Sequence, residues 1–322
     1  MAVLVYTENW DGKFKKSTFE LASYATRLAE KIPDQVVALS IGHVEEEELK
    51  KLGRYGIGKV ISVEDDRFKT LDNQVYTRII AEVAENLTAS VVVLAHNNSG
   101  KALAPRLSVR MKAGLVSGTT GLPESFEPFI VIKKTFTGKA LAKVVIHTAK
   151  KILTLAQNSY QVVEQVVPVE IRKFVPVSAG DVKTVVKEVF KQTGKVILTD
   201  ADIVVSGGRG MKSPENWGPI EELAKILGAA TACSRPVSDE GWRPHEEHTG
   251  QTGKVIAPVL YFAFGISGAI QHVAGISSSK FIVAVNTDKD APIFEVADYG
   301  IVGDAQKVLP ALIEAIKEAK SI

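Results

Sequence analysis

Hydrophobic residues in this chain fall into short runs that are apolar throughout, separated by stretches where they recur at helical spacing. Residues 3–6, Val36-Val37-Ala38-Leu39-Ser40-Ile41, Val60-Ile61-Ser62-Val63 and Val91-Val92-Val93-Leu94-Ala95 are runs of the first kind. Leu21, Tyr24, Ala25 and Leu28, then Val75, Ile79, Ile80 and Val83, carry the three- and four-residue spacing of helices buried on one side. Ser17-Thr18-Phe19-Glu20 has the form of a capping box ahead of the first helix, and residues 45–52 read as a charged helix. Strands without a polar face, joined by helices, predict a parallel sheet covered on both sides.

The pattern changes from about Gly118. Residues 129–136, Ala140–Ile146 and Lys151–Leu155 are closely spaced strand candidates, with Thr137-Gly138-Lys139 as a turn, and predict antiparallel additions to the sheet. Residues 166–178 alternate apolar and charged positions around Pro168 and Pro176, a strand running into a linker. A short helix is expected over 181–191, broken by Thr193-Gly194. The expected division is an N-terminal α/β domain over 1–190 and a second domain over 196–322.

In the second part, Ile203-Val204-Val205 runs into Ser206-Gly207-Gly208-Arg209-Gly210, and Ile220, Leu223, Ala224 and Leu227 form a helical stripe ending at Gly228. A strand, a glycine loop and a helix in that order are the usual phosphate site of an open α/β sheet, with a plain tight turn as the competing reading of this unit taken alone. The spacing is not that of a Gly-x-Gly-x-x-Gly fingerprint. Further polar loops follow: Ser234-Arg235-Pro236, Thr249-Gly250-Gln251-Thr252-Gly253-Lys254, Gly265 to His272, Asn286, and Gly303-Asp304. Ser267 is a natural N-cap and Gly275 a natural stop for a short helix between them. So many loops at strand ends imply a long ligand across one sheet edge. A dinucleotide has that length, and NAD and FAD both remain open on this ground.

Composition removes several classes. With 322 residues, 45% hydrophobic and 24% charged, the chain is neither disordered nor fibrous. Lys and Arg number 39 against 37 Asp and Glu, a net charge of +2 without a basic block, so nothing favours nucleic acid. One cysteine, Cys233, can form no internal disulfide and hold no iron–sulfur cluster. No apolar run reaches a membrane span, and the first strand starts at Ala2, which leaves no room for a signal or transit peptide. A cytoplasmic location is expected. His96-Asn97-Asn98-Ser99-Gly100-Lys101 lacks P-loop spacing and reads as an ordinary loop at the sheet edge. His245-Glu246-Glu247-His248 shows no third ligand, so no metal is expected. Cys233 reads as a core residue, and Trp217 and Trp242 as packing.

Leu260-Tyr261-Phe262-Ala263-Phe264 followed by Gly265-Ile266-Ser267-Gly268-Ala269-Ile270-Gln271-His272, then Gly275 and Val283-Ala284-Val285-Asn286, resembles the alpha subunit of the electron transfer flavoproteins. Ala291-Pro292-Ile293-Phe294, Ala297-Asp298-Tyr299-Gly300, Gly303-Asp304, Ser234-Arg235, Asp239-x-Gly241-Trp242 and Gly250-Gln251-Thr252-Gly253 extend the resemblance in order. It is dense over the second domain and looser over the first, where Leu103-Ala104-Pro105-Arg106-Leu107 carries it. One departure is visible: the family often has Gln-Val where His248-Thr249 stand.

The resemblance implies an α/β fold. Its N-terminal domain would be nucleotide-hydrolase-like, a mostly parallel sheet with added antiparallel strands meeting a beta subunit. A doubly wound FAD-binding domain would follow it. It implies non-covalent FAD, with Arg209 on the pyrophosphate, Ser234 and the loop of Gly250, Gln251 and Thr252 on the flavin end and ribityl chain, and Thr249 among the cofactor-binding residues. Ser267, Gly268, Ala269, Ile270, Gln271 and His272 would wrap the cofactor with amide donors, and Asn286, Asp304 and Ala305 would bind the adenosine side. Arg235 and His272 would lie beside the isoalloxazine ring and Thr252 near N5, where a cation and a donor stabilise charge gained on reduction. No catalytic base or nucleophile is implied. The chain would be an electron carrier in a heterodimer. It would take electrons from flavin dehydrogenases such as the acyl-CoA dehydrogenases of fatty acid beta-oxidation, and pass them to a quinone oxidoreductase. A nicotinamide-dependent oxidoreductase and a non-redox nucleotide-binding module are the competing readings.

Overall fold

A computed structural model describes residues 2–136, 138–189 and 196–320. The chain divides into two compact units, Met1–Val189 and Phe190–Ile322.

The first unit opens with β1 (Ala2–Tyr6), a small hairpin of β2 (Asn9–Trp10) and β3 (Lys13–Phe14), and α1 (Lys16–Lys31). Then come β4 (Gln35–Ile41), α2 (Glu46–Lys50), β5 (Lys59–Val63), α3 (Asn73–Asn86), β6 (Ala89–Ala95) and α4 (Asn98–Met111). Strands β7 (Gly114–Thr119), β8 (Ser125–Phe126), β9 (Phe129–Thr135), β10 (Ala140–Ile146), β11 (Lys151–Leu155) and β12 (Glu170–Lys173) complete it. Among the described residues the strands other than β2 and β3 form a ten-stranded sheet in the order β10-β9-β7-β11-β6-β1-β4-β5-β12, with β8 paired on β9. Alternation along β1 shows why its run is apolar throughout. Ala2, Leu4 and Tyr6 enter the core on one face, Val3 and Val5 the core on the other.

Three expectations fail here. Strand β11 is no antiparallel addition: it lies inside the sheet, parallel to both β6 and β7, so within this sheet, among the described residues, the antiparallel pairs are those of β9 with β7, β8 and β10. Residues 181–189 form no helix, and residues 190 and 191 with Thr193-Gly194 lie outside the described residues, as does Thr137 of the expected turn. Helix α1 begins at Lys16, ahead of the supposed capping box. Glu20 accepts instead the N–H groups of Asn158 and Tyr160, tying a distant loop to the helix.

The second unit holds β13 (Ile203–Gly207), α5 (Gly218–Leu227), β14 (Ala230–Cys233), α6 (Arg235–Asp239), β15 (Leu260–Phe264), α7 (Ile270–Ile276), β16 (Phe281–Asn286), β17 (Tyr299–Val302) and α8 (Ala305–Lys320). Its five-stranded sheet, counted among the described residues, runs β14-β13-β15-β16-β17 with every pair parallel. Phe262 and Phe264 fill the core under α5 and α8, while Tyr261 and Ala263 fill the opposite core. The sheet is doubly wound. Its strand order reverses between β13 and β15, and the crevice at their carboxyl ends is where such folds take ligands. The expected Ser267 cap is corrected. Helix α7 starts at Ile270 after Ala269, and Gly275 lies inside it.

Candidate functional site

Two glycine loops meet at that reversal. Gly208 N–H donates to Phe264 C=O at 2.9 Å and Gly210 N–H to Gly265 C=O at 3.0 Å. The backbones approach so closely that a Cβ on Gly208 would stand 2.2 Å from the Gly265 oxygen. Only glycine allows this contact. It leaves Arg209 projecting from the loop, with its guanidinium 66% exposed and 3.8 Å from Glu240.

At the end of β14, Ser234 is buried and donates its N–H to Gly207 C=O at 3.1 Å, which fixes the next loop to the first. Arg235 opens α6 with its side chain 63% exposed and paired with Asp239, Nε to Oδ2 at 3.2 Å. Cys233 beneath it is fully buried, and burial pushes its thiol up to about 12.

The 249–254 turn reaches the same edge. Thr249 is fully buried and donates its N–H to Cys233 C=O at 3.0 Å, while its hydroxyl has no partner among the described residues. Gly250 packs on α7, and Gln251 N–H donates to Gln271 C=O at 2.7 Å. The Gln251 and Thr252 side chains are exposed.

The loop after β15 is built to present its backbone. Gly268 takes φ +85°, and a Cβ there would strike Ile293 N at 2.3 Å. Ser267, Ala269, Ile270 and Gln271 are exposed, Ile270 by 65%. The N–H groups of residues 267–271 find no backbone acceptor among the described residues. His272 points the other way. It is 6% exposed, with Nε2 2.9 Å from the Tyr261 hydroxyl, and burial pushes its imidazole down to about 4. It is a neutral group at pH 7.

Asn286 and Asp304 are already engaged. Asn286 Nδ2 donates to Ile266 C=O at 2.9 Å and its Oδ1 accepts Asp288 N–H at 3.0 Å, bracing the Gly265 loop. Asp304 accepts Gln306 N–H at 3.0 Å, which caps α8, and pairs with Lys212 at 2.9 Å. Lys212 holds that carboxyl below the usual carboxylate range. Ala305 is buried behind it. The expected residues therefore lie in the loops and adjoining helix starts along one edge of the second sheet, with Asn286 at the end of β16, although Ser234, Thr249, Gly250, Gly268, His272 and Ala305 are buried rather than on the surface.

Four participants are absent from the expected set. Tyr261 fixes the His272 ring but sits in an apolar strand. Lys212 stands three residues beyond Arg209, in the same turn. Asp239 and Glu240 hold the two arginines, and only the four-residue spacing of Arg235 and Asp239 was open to sequence reading.

A family model described as the electron transfer flavoprotein FAD-binding domain matches residues 197–277, and one described as the electron transfer flavoprotein domain matches residues 3–189. The chain belongs to the electron transfer flavoprotein alpha-subunit family. The alpha subunit from Syntrophomonas wolfei subsp. wolfei is 39% identical over 316 residues, 98% of each chain. That from Bacillus subtilis is 37% identical over 98% of this chain and 97% of its own. Subunit LctC of the lactate dehydrogenase (NAD(+),ferredoxin) of Acetobacterium woodii is 32% identical over 98% of this chain and 77% of its own.

FAD is the cofactor of this family, whose alpha subunits pair with a beta subunit and carry electrons rather than transform a substrate. The donor set suits FAD. Arg209 supplies a cation for a diphosphate, unpaired amides line residues 267–271, and a close-packed glycine seam admits backbone contact. No helix among the described residues is long and apolar enough to cross a membrane.

Proposed function

We propose that FAD lies along the carboxyl edge of the second sheet. The observation that carries this is the set of unpaired N–H groups over 267–271, with two loosely held guanidiniums on the same edge. Arg209 meets the pyrophosphate. Ser234 and residues 249–252 hold the flavin end and ribityl chain, and Ser267, Gly268, Ala269, Ile270, Gln271 and His272 supply amides along the cofactor. Asn286, Asp304 and Ala305 line the adenosine side. Arg235, His272 and Thr252 stand beside the ring.

When bound, FAD supplies one- and two-electron carriage between protein partners. The protein's own part is electrostatic. Arg235 brings a guanidinium cation, whereas neutral His272 only exchanges a hydrogen bond, with Tyr261 fixing its ring. Arg235 is therefore the stronger of the two in favouring negative charge near it.

The reading assigns residues 1–190 to meeting the beta subunit and 196–322 to holding FAD. The strands between 129 and 155 are the proposed interface. Outer strand β10 turns Leu141 and Val145 to solvent, 66% and 39% exposed, which suits a partner surface. The heterodimer is proposed to work in the cytoplasm, taking electrons from flavin dehydrogenases such as those acting on acyl-CoA and delivering them to a quinone oxidoreductase. A second route is favoured by the relatives' names: one belongs to a lactate dehydrogenase (NAD(+),ferredoxin), another is the acryloyl-CoA reductase electron transfer subunit beta of Anaerotignum propionicum. Mixing the purified heterodimer with an acyl-CoA dehydrogenase and its substrate tests the choice. Bleaching of the flavin absorbance supports the first route, and bleaching by NADH alone supports the second.

A further inference from the structure

His248, which departs from the family's usual pattern, is a buried side chain at 3% exposure. Its backbone pairs with Cys233 and its C=O accepts Lys254 N–H at 2.9 Å, closing the 249–254 turn. The imidazole lies inside that turn. A Cβ on Gly253 would stand 2.7 Å from Nδ1, and one on Gly250 would stand 3.5 Å from Nε2. From the other side α7 presses on the turn. A Cβ on Gly275 would lie 2.5 Å from Gly250 Cα, and Gln271 C=O takes the Gln251 N–H. The turn is clamped between an imidazole and the helix that carries His272.

We propose that His248 is a positioning residue whose uncharged ring holds residues 250–253 in the shape that meets the flavin, so that protonating it loosens the cofactor. The proposal rests on the assignment of residues 250–252 to the flavin end. An imidazolium carries N–H groups on both nitrogens, and His248 Nδ1 is buried with no acceptor among the described residues, so the charged ring would bury an unpaired donor. The charges around it offer little relief. His245 stands on the same loop with its ring centre 5.4 Å away, Arg235 and Asp239 face it from α6, and His272 from α7. Asp239 is the acidic member of that set and already pairs with Arg235 at 3.2 Å. Burial first, then His245 and Arg235, hold the His248 ring below its ordinary value of 6.5, against the pull of Asp239. The sign follows. Both the closed and the loosened turn carry a neutral ring above pH 6.5, and the closed form loses ground as pH falls from there toward its own lowered pKa. His272, pushed down to about 4, acts in the same direction, so the two must be separated.

The test uses the full chain with its beta subunit, wild type and His248→Gln, and follows FAD affinity from about pH 7.5 down to about 5.5. Wild type should lose affinity as the pH falls below 6.5, by up to about tenfold per pH unit for one linked proton. His248→Gln should retain only the shallower dependence due to His272. Amide protection over residues 250–254, taken relative to the intrinsic exchange rate at each pH, should fall with acid in wild type and not in the variant. A His248 imidazole that titrates at or above 6.5 in the FAD-bound wild type overturns the proposal without need of any variant. Superimposable affinity profiles with unchanged exchange overturn the clamp itself. Altered exchange with superimposable profiles overturns the assignment of this turn to the flavin, and the proposal with it.

Discussion

Arg209 and Arg235 are each held by one exposed acidic partner, and exposed pairs of this kind contribute about 0–1 kcal/mol to stability. Removing either guanidinium should therefore leave the fold intact, which makes both residues clean probes. Arg209→Ala should remove a charge-assisted contact of about 1.5–3 kcal/mol and weaken FAD binding about tenfold or more. Isothermal titration of the folded variant checks this, and unchanged affinity would remove Arg209 from the pyrophosphate. Arg235→Ala should keep FAD bound but lower the flavin potential. A tenfold loss of preference for the reduced form is about 59 mV for one electron. Spectroelectrochemical titration reads it directly, and a wild-type potential would mean that Arg235 is away from the ring. The arginines were legible in sequence because each follows a strand and a small residue. Tyr261 was not, since a hydroxyl in an apolar strand gives no local sign of its partner, eleven residues on in α7.

Loops at strand ends carry the candidate site, and the glycine seam between two of them is made of backbone contacts. Gly208→Ala would drive a methyl group to 2.2 Å from the Gly265 oxygen, an atom that cannot rotate away. The loops must separate, at a cost typical of overpacking, about 1–3 kcal/mol. The variant should melt earlier than wild type and hold FAD weakly, whereas Gly218→Ala, where nothing stands within 4 Å, should not. Equal melting of Gly208→Ala and wild type would contradict the seam. Element-scale reading of the sequence worked where the signal is local, as in the apolar run of β1 or the stripe of α5. It failed where partners are distant. Close spacing made β11 look like the next hairpin strand, yet its hydrogen bonds go to β6 and β7. Ser17-Thr18-Phe19-Glu20 matched a capping box, but the burial of Glu20 against residues 158–160 decided its role.

On the scale of the whole molecule, two parallel sheets offer carboxyl edges of different chemistry. In the first unit the loop before α4 is answered from within: Glu8 accepts hydrogen bonds from Asn97 Nδ2 and Ser99 Oγ, both at 2.5 Å. A carboxylate of the chain already stands there, which disfavours a phosphate. In the second unit the amides over 267–271 remain unpaired and two arginines remain loosely held. Sequence alone showed both as polar loops at strand ends and could not rank them on local grounds. Hydrogen–deuterium exchange of the full chain with its beta subunit, with and without FAD, tests the central claim most directly. FAD should slow exchange at residues 207–210, 249–254 and 265–272 and leave residues 96–101 unchanged. Protection at 96–101 with none in the second unit would contradict the account.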